Sequence, residues 1–156
     1  MPLTLETAMQ LCQDYDEMSK TLVFTNGVFD LLHVGHLDYL EKARSLGDAL
    51  LVAINDDEST HKYKGAGRPL VPALERARLL ESLAPVTGVI LFPDATADRL
   101  LQAIKPHIYC KGGDYTSETL PEYDTVKAYG GEVRLIEYLP NHSTTNLIQK
   151  IKNLPD

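Results

Sequence analysis

Short apolar runs alternate along the chain with longer segments in which apolar residues recur every three or four positions. Short apolar runs are typical of buried strands, and the longer pattern is typical of amphipathic helices. The short runs predict strands at residues 21–25, 49–54, 86–92, 108–110 and 132–137. The longer pattern predicts helices at residues 3–19, 34–46, 72–83, 97–104, 122–129 and 143–151.

The alternation of strands and helices after residue 20 indicates βαβ units with right-handed crossovers. We expect an α/β fold: a single Rossmann-like domain with a five-stranded parallel sheet, in the order 3-2-1-4-5, and helices on both faces. A length of 156 residues suits one domain of ordinary size. We assign residues 20–156 to this domain and residues 1–19 to a helical lead-in, which could pack on its own sheet or on a second copy.

Polar, glycine-containing segments follow the first and the fourth predicted strands, at residues 26–30 and 111–115. Ligands of open parallel sheets bind beyond the carboxyl ends of the strands, at the point where the strand order reverses. In the predicted order, strands one and four flank that point. The two segments therefore predict one shared binding site, while the reaction has to be argued from the site residues themselves.

Charge and composition argue against several kinds of partner. The net charge is −7 and the pI is about 5.2, which disfavours a general nucleic-acid-binding surface. The sequence shows neither a signal segment nor an apolar run of membrane-spanning length, so we expect no membrane partner. Cys12 and Cys110 lack metal-ligand spacing, and we interpret them as the reduced thiols of a cytoplasmic protein.

The strongest chemical signal lies in residues 25–36. Gly27 follows the first strand, and His33 and His36 then open a helix with Gly35 between them. Free backbone amides and the positive end of the helix dipole favour an anion at such a position. Helix capping and a zinc pair are the competing interpretations, but no third metal ligand stands nearby. We favour a site for nucleotide phosphates.

A lysine, two glycines and a carboxylate follow the fourth predicted strand, as Lys111, Gly112, Gly113, Asp114 and Tyr115. Lys111 could reach a phosphate, the glycines permit a close approach of the backbone, and Asp114 could hold Mg²⁺ or a hydroxyl group. A flexible turn is the alternative. The position at the end of a strand favours the binding role.

Two further segments suit phosphate but also have ordinary explanations. The loop and helix after the second strand carry four basic residues, Lys62, Lys64, Arg68 and Arg76. They either bind phosphate oxygens or form a solvated surface, and we assign Lys62 to the surface. Ser143 is a predicted N-cap of the last helix, and the neighbouring hydroxyls of Thr144 and Thr145 would suit a phosphate as well. Asn55, Asp56 and Asp57 predict either a turn or a contact with ribose or metal.

Several common phosphate-site motifs are missing from the sequence. It contains no Walker loop, no Gly-x-Gly-x-x-Gly and no nucleophile–base pair that would indicate covalent catalysis. The phosphate site must therefore be of another kind.

The segment from His33 to His36, after Gly27, resembles the His-x-Gly-His signature of the cytidylyltransferase-like nucleotidyltransferase superfamily. Within this superfamily the chain is most similar to the branch that makes ADP-heptose from D-glycero-β-D-manno-heptose 1-phosphate. The similarity covers roughly residues 20–152. It rests on motifs in the expected order, namely Thr25-Asn26-Gly27, Lys64-Gly65, Arg68-Pro69, Arg76, Lys111-Gly112-Gly113-Asp114-Tyr115 and Ser143-Thr144-Thr145-Asn146.

The resemblance implies direct transfer of AMP, in which a sugar-phosphate oxygen attacks the α-phosphorus of ATP in line and pyrophosphate leaves. Catalysis then consists mainly of positioning and charge stabilisation. By resemblance, His33 and His36 bind the triphosphate and stabilise the transition state. Lys64 contacts the phosphates where the two substrates meet, and Arg76 binds a phosphate, which could be that of the sugar.

The remaining site residues are also assigned by resemblance. Tyr115 joins Lys64 and Arg76 at the sugar phosphate. The nucleotide is assigned to Thr25, Asn26, Gly27, Phe29, Asp30, Gly35, Lys111, Gly112, Gly113, Asp114, Ser143, Thr144 and Thr145. The resemblance further implies Mg²⁺ with unidentified ligands, a homodimer, and a separate sugar kinase upstream. One residue departs from the expected pattern, because His142 stands where a cysteine or another residue is expected.

Two other functions fit the same motifs. A CTP-dependent cytidylyltransferase acting on glycerol 3-phosphate or another alcohol phosphate would share the phosphate-binding residues. A nucleotide-binding regulatory module without catalysis would share the fold, but a sensor has no need to stabilise a transition state. The intact His33, His36 and Lys64 therefore favour an enzyme.

Overall fold

The structure, a computed structural model, describes residues 1–113 and 115–156; the predicted site residue Asp114 lies outside the described residues. The strands are β1 (Leu22–Gly27), β2 (Ala49–Asn55), β3 (Gly88–Phe92), β4 (Ile108–Gly112) and β5 (Glu132–Ile136). The helices are α1 (Leu5–Glu17), α2 (Val34–Arg44), α3 (Asp57–Lys64), α4 (Ala73–Glu81), α5 (Asp98–Ile104), α6 (Tyr123–Ala128) and α7 (Thr144–Lys152).

The strands form one parallel sheet in the order β3-β2-β1-β4-β5, which confirms the predicted fold and strand order. The order reverses at β1, which pairs with β2 on one side and β4 on the other. Thr25, for example, lies opposite Val52 of β2 and Cys110 of β4. The carboxyl ends of β1 and β4 therefore open side by side at one edge of the sheet.

Helices cover both faces of the sheet, as predicted. Alternate residues of a strand point to opposite faces, so Leu22 and Phe24 of β1 join the core beneath α1, α5 and α6. Val23 joins the second core, beneath α2 and α4. Strand β2 is buried along its whole length, as expected for a central strand of a parallel sheet.

Helix α1 packs on its own sheet. Its first turn is capped by Thr4, whose hydroxyl accepts the Thr7 amide proton. Ala8 and Cys12 are buried in the core with residues of α5. Leu3, predicted to be helical, instead forms a parallel bridge with Ile90, because the Thr4 cap starts the helix later.

Helix α3 was not predicted from the sequence, which suggested a turn and a basic loop there. The helix holds few apolar residues, so hydrophobic periodicity could not reveal it. It is stabilised locally instead: the Asp56 carboxylate accepts the Ser59 amide proton, and Lys62 pairs with Glu58 one turn away. Asp56 is therefore a helix cap, and Lys64 lies in the last turn of a helix.

Strand β4 also extends further than predicted. Lys111 and Gly112 pair with Leu135 and Ile136 of β5, so both are strand residues and the turn begins at Gly113. No helix within residues 1–113 or 115–156 has the length and apolar character needed to cross a membrane.

Candidate active site

A cleft of about 780 Å³ lies over the carboxyl ends of β1 and β4. It is the place that the strand order predicts for a ligand. Most of the predicted site residues line it: Asn26, Gly27, Phe29, Asp30, His33, Gly35, His36, Lys64, Lys111, Tyr115, Ser143, Thr144 and Thr145. The fold therefore brings together residues that are spread along the sequence from Asn26 to Thr145.

The two histidines of the motif form a reciprocal cap at the start of α2. Nδ1 of His33 accepts the amide proton of Gly35 at 3.0 Å, and Nδ1 of His36 accepts that of His33 at 3.3 Å. A ring nitrogen that accepts a hydrogen bond carries no hydrogen of its own, so the N–H group of each neutral ring is at Nε2. The rings stack with centroids 3.9 Å apart, and the pair thus supplies two neighbouring Nε2–H donors.

Burial keeps this pair neutral. It lowers the pKa of His36 to about 4, with the neighbouring His33 adding to the effect and Asp30 opposing it. Burial also lowers the pKa of His33, and His142 contributes to that shift. Near neutral pH both rings therefore act as uncharged hydrogen-bond donors toward an anion, and capping and phosphate binding are compatible roles for the same rings.

Gly35 leaves the space that the pair needs. A Cβ atom at this position would lie 2.8 Å from Cε1 of His33 and 2.9 Å from the Cβ atom of His142. Both distances are too short for carbon atoms, so any larger residue would displace the rings.

The start of α7 forms a second donor group at the cleft. The Ser143 hydroxyl accepts the Asn146 amide proton and caps the helix, as predicted. The hydroxyl of Thr144 donates to the backbone carbonyl of Asp30 at 2.7 Å, which ties the helix to the segment that follows β1. Free amides at a helix start favour an anion, and this start is held beside the histidine pair.

Asp30, in the segment after β1, is bonded to the start of α7 through its carbonyl and to the loop before α4 through its carboxylate. Its buried carboxylate accepts the amide protons of Leu70 and Val71 and the Nε proton of Arg68, at 2.7 to 2.9 Å. Burial alone would raise the pKa of Asp30, but these hydrogen bonds and the Arg68 charge outweigh it and lower the pKa. Asp30 is thus ionised, and its three hydrogen bonds position the loop that carries Arg68.

Cationic side chains crowd the same cleft. Burial lowers the pKa of Lys64, and the neighbouring Arg68 adds to the effect. Burial also lowers the pKa of Lys111, where Lys64 adds to the effect and Glu122 opposes it. Nζ of Lys111 donates to the Asn26 carbonyl at 3.3 Å. Cations that repel one another at a half-buried site indicate a place for an anion.

Three predicted nucleotide-binding residues support the cleft without lining it. Thr25 is fully buried, and its hydroxyl donates to the Cys110 carbonyl and pairs with the hydroxyl of Tyr39. Gly112 and Gly113 lie beneath the ring of Tyr138, which a Cβ on Gly112 would overlap. Here the glycines make room for a tyrosine of the same chain.

Arg76 is not brought to the cleft. Its side chain is 1% exposed, and its donors reach the carbonyls of Val71 (2.8 Å) and Val28 (2.6 Å) and the carboxylate of Asp57 (2.9 Å). The predicted contact with a phosphate therefore has no support in the geometry. Arg76 instead joins the segment after β1 to the start of α3 and the end of the loop before α4.

We expect Arg76→Lys to destabilise the fold rather than to weaken substrate binding. A lysine ammonium cannot reach both carbonyls and the carboxylate, so the free energy of unfolding should fall by about 2 kcal/mol. Denaturant unfolding measures this loss, and initial rates measure the KM for the sugar phosphate. A tenfold rise in that KM with an unchanged free energy of unfolding would instead indicate that Arg76 binds a phosphate.

Some cleft residues were not predicted. Tyr63, Thr96, Glu122 and Tyr138 line the cleft, and they come from helix ends and loops with no motif of their own. Asn55, for which a turn or a ligand contact was left open, lines the cleft and donates to the Asp94 carbonyl. Only the parallel sheet, which brings the carboxyl ends of all five strands to one edge, could have indicated them.

The part of the chain that the structure describes contains no group of three His, Cys, Asp or Glu side chains arranged to hold a metal ion. The carboxylate of Asp30, a cleft residue assigned to the nucleotide, accepts three hydrogen bonds from the protein. Mg²⁺ is usually held by one or two carboxylates together with substrate phosphates and water, so it does not need such a group of protein ligands.

Comparisons with known proteins identify the family of the chain. The sequence matches the Cytidylyltransferase-like family over residues 24–150. The bifunctional protein HldE of Pseudomonas fluorescens (strain SBW25) is 44% identical over 151 residues, which cover 97% of this chain and 32% of that protein. HldE of Geotalea uraniireducens (strain Rf4) is 49% identical over 133 residues, which cover 85% of this chain and 27% of that protein. The chain thus spans between about a quarter and a third of the length of these relatives.

Two solved structures have the same fold. The lipopolysaccharide core biosynthesis protein from Thermoplasma volcanium GSS1 is similar with a TM-score of 0.64 and 25% identity, over 77% of this chain and 97% of that one. Pantothenate synthetase from Thermus thermophilus gives a TM-score of 0.60 at 16% identity, over 89% of this chain and 62% of that one, and shares the fold alone. Since the family match spans most of the sequence and includes the histidine motif, the chain belongs to the cytidylyltransferase-like family of nucleotidyltransferases.

Proposed function

We propose that the protein transfers AMP from ATP to D-glycero-β-D-manno-heptose 1-phosphate and releases pyrophosphate. The observation that carries the proposal is the histidine pair. Its reciprocal cap occupies both Nδ1 atoms, so each neutral ring has its N–H donor at Nε2. They share one cleft with the start of α7 and the lysines Lys64 and Lys111. This arrangement supplies donors and positive charge for a triphosphate and for a second, phosphate-bearing substrate.

In this mechanism His33 and His36 donate to the α-phosphate region and stabilise the charge that grows on its equatorial oxygens. Donors of this kind are effective because they are fixed before the reaction and need no reorganisation. The amides at the start of α7 and the hydroxyls of Ser143 and Thr145 hold the leaving pyrophosphate, while the Thr144 hydroxyl stays bonded to the Asp30 carbonyl. No protein nucleophile is needed, since an oxygen of the sugar phosphate attacks the phosphorus directly.

The acceptor phosphate would meet the triphosphate near Lys64. Two anionic substrates repel each other, and cations placed between them offset that repulsion. Lys64, Arg68 and Lys111 lie together in the cleft, and an anion would relieve the repulsion among them. Tyr115 lines the same part of the cleft and lies 5.9 Å from Nζ of Lys111, measured to the ring centroid.

The choice of ATP and heptose rests on the resemblance of the sequence to the ADP-heptose-forming branch, mainly at residues 111–115 and 143–146. The similarity to HldE proteins and to a lipopolysaccharide core biosynthesis protein supports it. If the substrates are ATP and heptose 1-phosphate, a sugar kinase reaction would supply the sugar phosphate and Mg²⁺ would accompany ATP. The protein would then act in the cytoplasm as a homodimer.

The test is an incubation of the purified protein with Mg²⁺ and each pair of substrates, followed by assays for pyrophosphate and for the sugar nucleotide. We expect pyrophosphate and ADP-heptose from ATP with the heptose 1-phosphate. The control is CTP with glycerol 3-phosphate, the substrates of the alternative cytidylyltransferase. Pyrophosphate from that pair alone would refute the proposal, and nucleotide binding without any transfer would indicate a regulatory module.

A further inference from the structure

Glu122 is a buried carboxylate at the cleft that the proposed mechanism does not use. The residue is only 3% exposed, yet it lines the cleft. It stands immediately before α6, at the end of the segment that carries Tyr115. Its Oε1 atom accepts the amide proton of Ala97 at 3.2 Å, and the residue before Ala97, Thr96, also lines the cleft. The carboxylate is therefore held between two segments that form one wall of the cleft.

The second oxygen of this carboxylate has no hydrogen-bond donor. Oε2 is buried, and within residues 1–113 and 115–156 no donor pairs with it. Glu122 adds, after burial, to the raised pKa of Tyr109, so the two groups are neighbours. The single hydroxyl proton of Tyr109, however, is donated to Oδ1 of Asn26 at 2.6 Å. A buried acceptor without a donor costs free energy, and a ligand that brings a donor would recover it.

The neighbours of Glu122 show which end of the cleft it serves. Burial lowers the pKa of Lys111, and Glu122 opposes that shift. Burial raises the pKa of Tyr115, and Tyr63 and Glu122 add to the effect. Lys111 and Tyr115 are residues that the proposed function places at the acceptor phosphate. The carboxylate of Glu122 therefore lies within electrostatic range of that phosphate.

Charge decides which part of a ligand can meet this carboxylate. A phosphate group would be repelled by Glu122, and a metal cation would be repelled by the neighbouring Lys111. A neutral hydroxyl group is compatible with both residues, because it donates a hydrogen bond to a carboxylate and adds no charge. The group bonded directly to the acceptor phosphate is the sugar, whose hydroxyl groups are donors of this kind.

We propose that Glu122 determines specificity for the acceptor sugar by accepting, at Oε2, a hydrogen bond from one of its hydroxyl groups. The proposal rests on the proposed function, because it takes the acceptor to be a sugar phosphate bound near Lys111. Oε1 stays bonded to the Ala97 amide, while Oε2, which is covered in the structure, becomes accessible from the cleft as the sugar binds.

The test measures the dissociation constants of D-glycero-β-D-manno-heptose 1-phosphate and of inorganic phosphate by calorimetry at neutral pH. The main variant is Glu122→Gln, whose amide oxygen can still accept the Ala97 proton while an NH₂ group replaces the second acceptor. Glu122→Asp, the second variant, keeps the charge on a shorter side chain. The matched control is Glu118→Gln, which removes an exposed carboxylate from the same segment. Thermal unfolding checks that all three variants stay folded.

We expect Glu122→Gln to bind the heptose 1-phosphate about tenfold more weakly than the wild type does, since a hydrogen bond to a charged acceptor is lost. It should bind inorganic phosphate at least as tightly as the wild type, because a nearby negative charge has been removed. Glu122→Asp should also weaken only the sugar phosphate, and Glu118→Gln should change neither dissociation constant.

The two ligands separate recognition of the sugar from a structural role. Equal weakening of both ligands in Glu122→Gln would indicate a structural role, and unchanged binding of the heptose 1-phosphate would remove Glu122 from its site. Either result overturns the role of Glu122 alone. A wild type that binds the heptose 1-phosphate no more tightly than inorganic phosphate would overturn the proposed function as well.

Discussion

His36→Asn should reduce kcat by about two orders of magnitude, which is the usual effect of removing one fixed donor from a site of charge stabilisation. Asparagine can accept the His33 amide proton through Oδ1, in place of Nδ1, so the helix cap is kept. It has no counterpart of Nε2, so one donor to the transition state is lost. Steady-state rates with saturating ATP and sugar phosphate measure the change.

Two further variants make the result specific to Nε2. His36→Gln places an amide N–H near the position of Nε2 and should recover part of the lost rate. His107→Asn is the matched control, since Nδ1 of His107 also accepts a backbone amide proton, that of Leu22, but far from the cleft. A kcat near the wild-type value in His36→Asn would remove this residue from the mechanism.

The lowered pKa of His36 also predicts how the free energy of unfolding depends on pH. The pKa of His36 is about 4 in the folded protein and near 6.5 in an unfolded chain. Between these values the unfolded state binds more protons, so stability falls as the pH is lowered from about 6.5 to about 4. Denaturant unfolding should show a loss of up to about 1.4 kcal/mol per pH unit, and His36→Asn should lack this component.

Asp30→Asn should be the most destabilising substitution around the cleft, with a loss of about 3 to 5 kcal/mol in the free energy of unfolding. The carboxylate of Asp30 is buried and accepts three protein donors, from Arg68, Leu70 and Val71. An amide offers one acceptor oxygen, and its NH₂ group meets donors that it cannot pair with. The Arg68 loop would then lose its position, so activity should fall as well.

The matched control is Glu58→Gln, which removes a carboxylate from the exposed pair with Lys62 and should cost less than about 1 kcal/mol. The pKa of Asp30 is lowered by folding, so its stabilisation is complete above the unfolded pKa of about 3.9 and is lost as the pH falls below it. A stability of Asp30→Asn within about 1 kcal/mol of the wild type would contradict this role.

The sequence predicted the sheet well because apolar runs and their spacing are local properties. Each strand was located, and the strand order was correct. Helix α3 was missed because its stability comes from the Asp56 cap and a surface ion pair, which leave no hydrophobic pattern. The end of β4 was placed too early because glycines at 112 and 113 suggest a turn, whereas Gly112 is held in the sheet by pairing with β5.

The sequence by itself determined the family, the histidine motif and the edge of the sheet at which the cleft lies, since these follow from residue order and local patterns. Only the tertiary structure decided what each polar side chain does. Asp30 and Arg76 carry charges that suit a ligand, but folding buries both and gives them protein partners. Likewise, His33 and His36 are Nε2–H donors because the Nδ1 atom of each meets a backbone amide, and those partners are set by the fold.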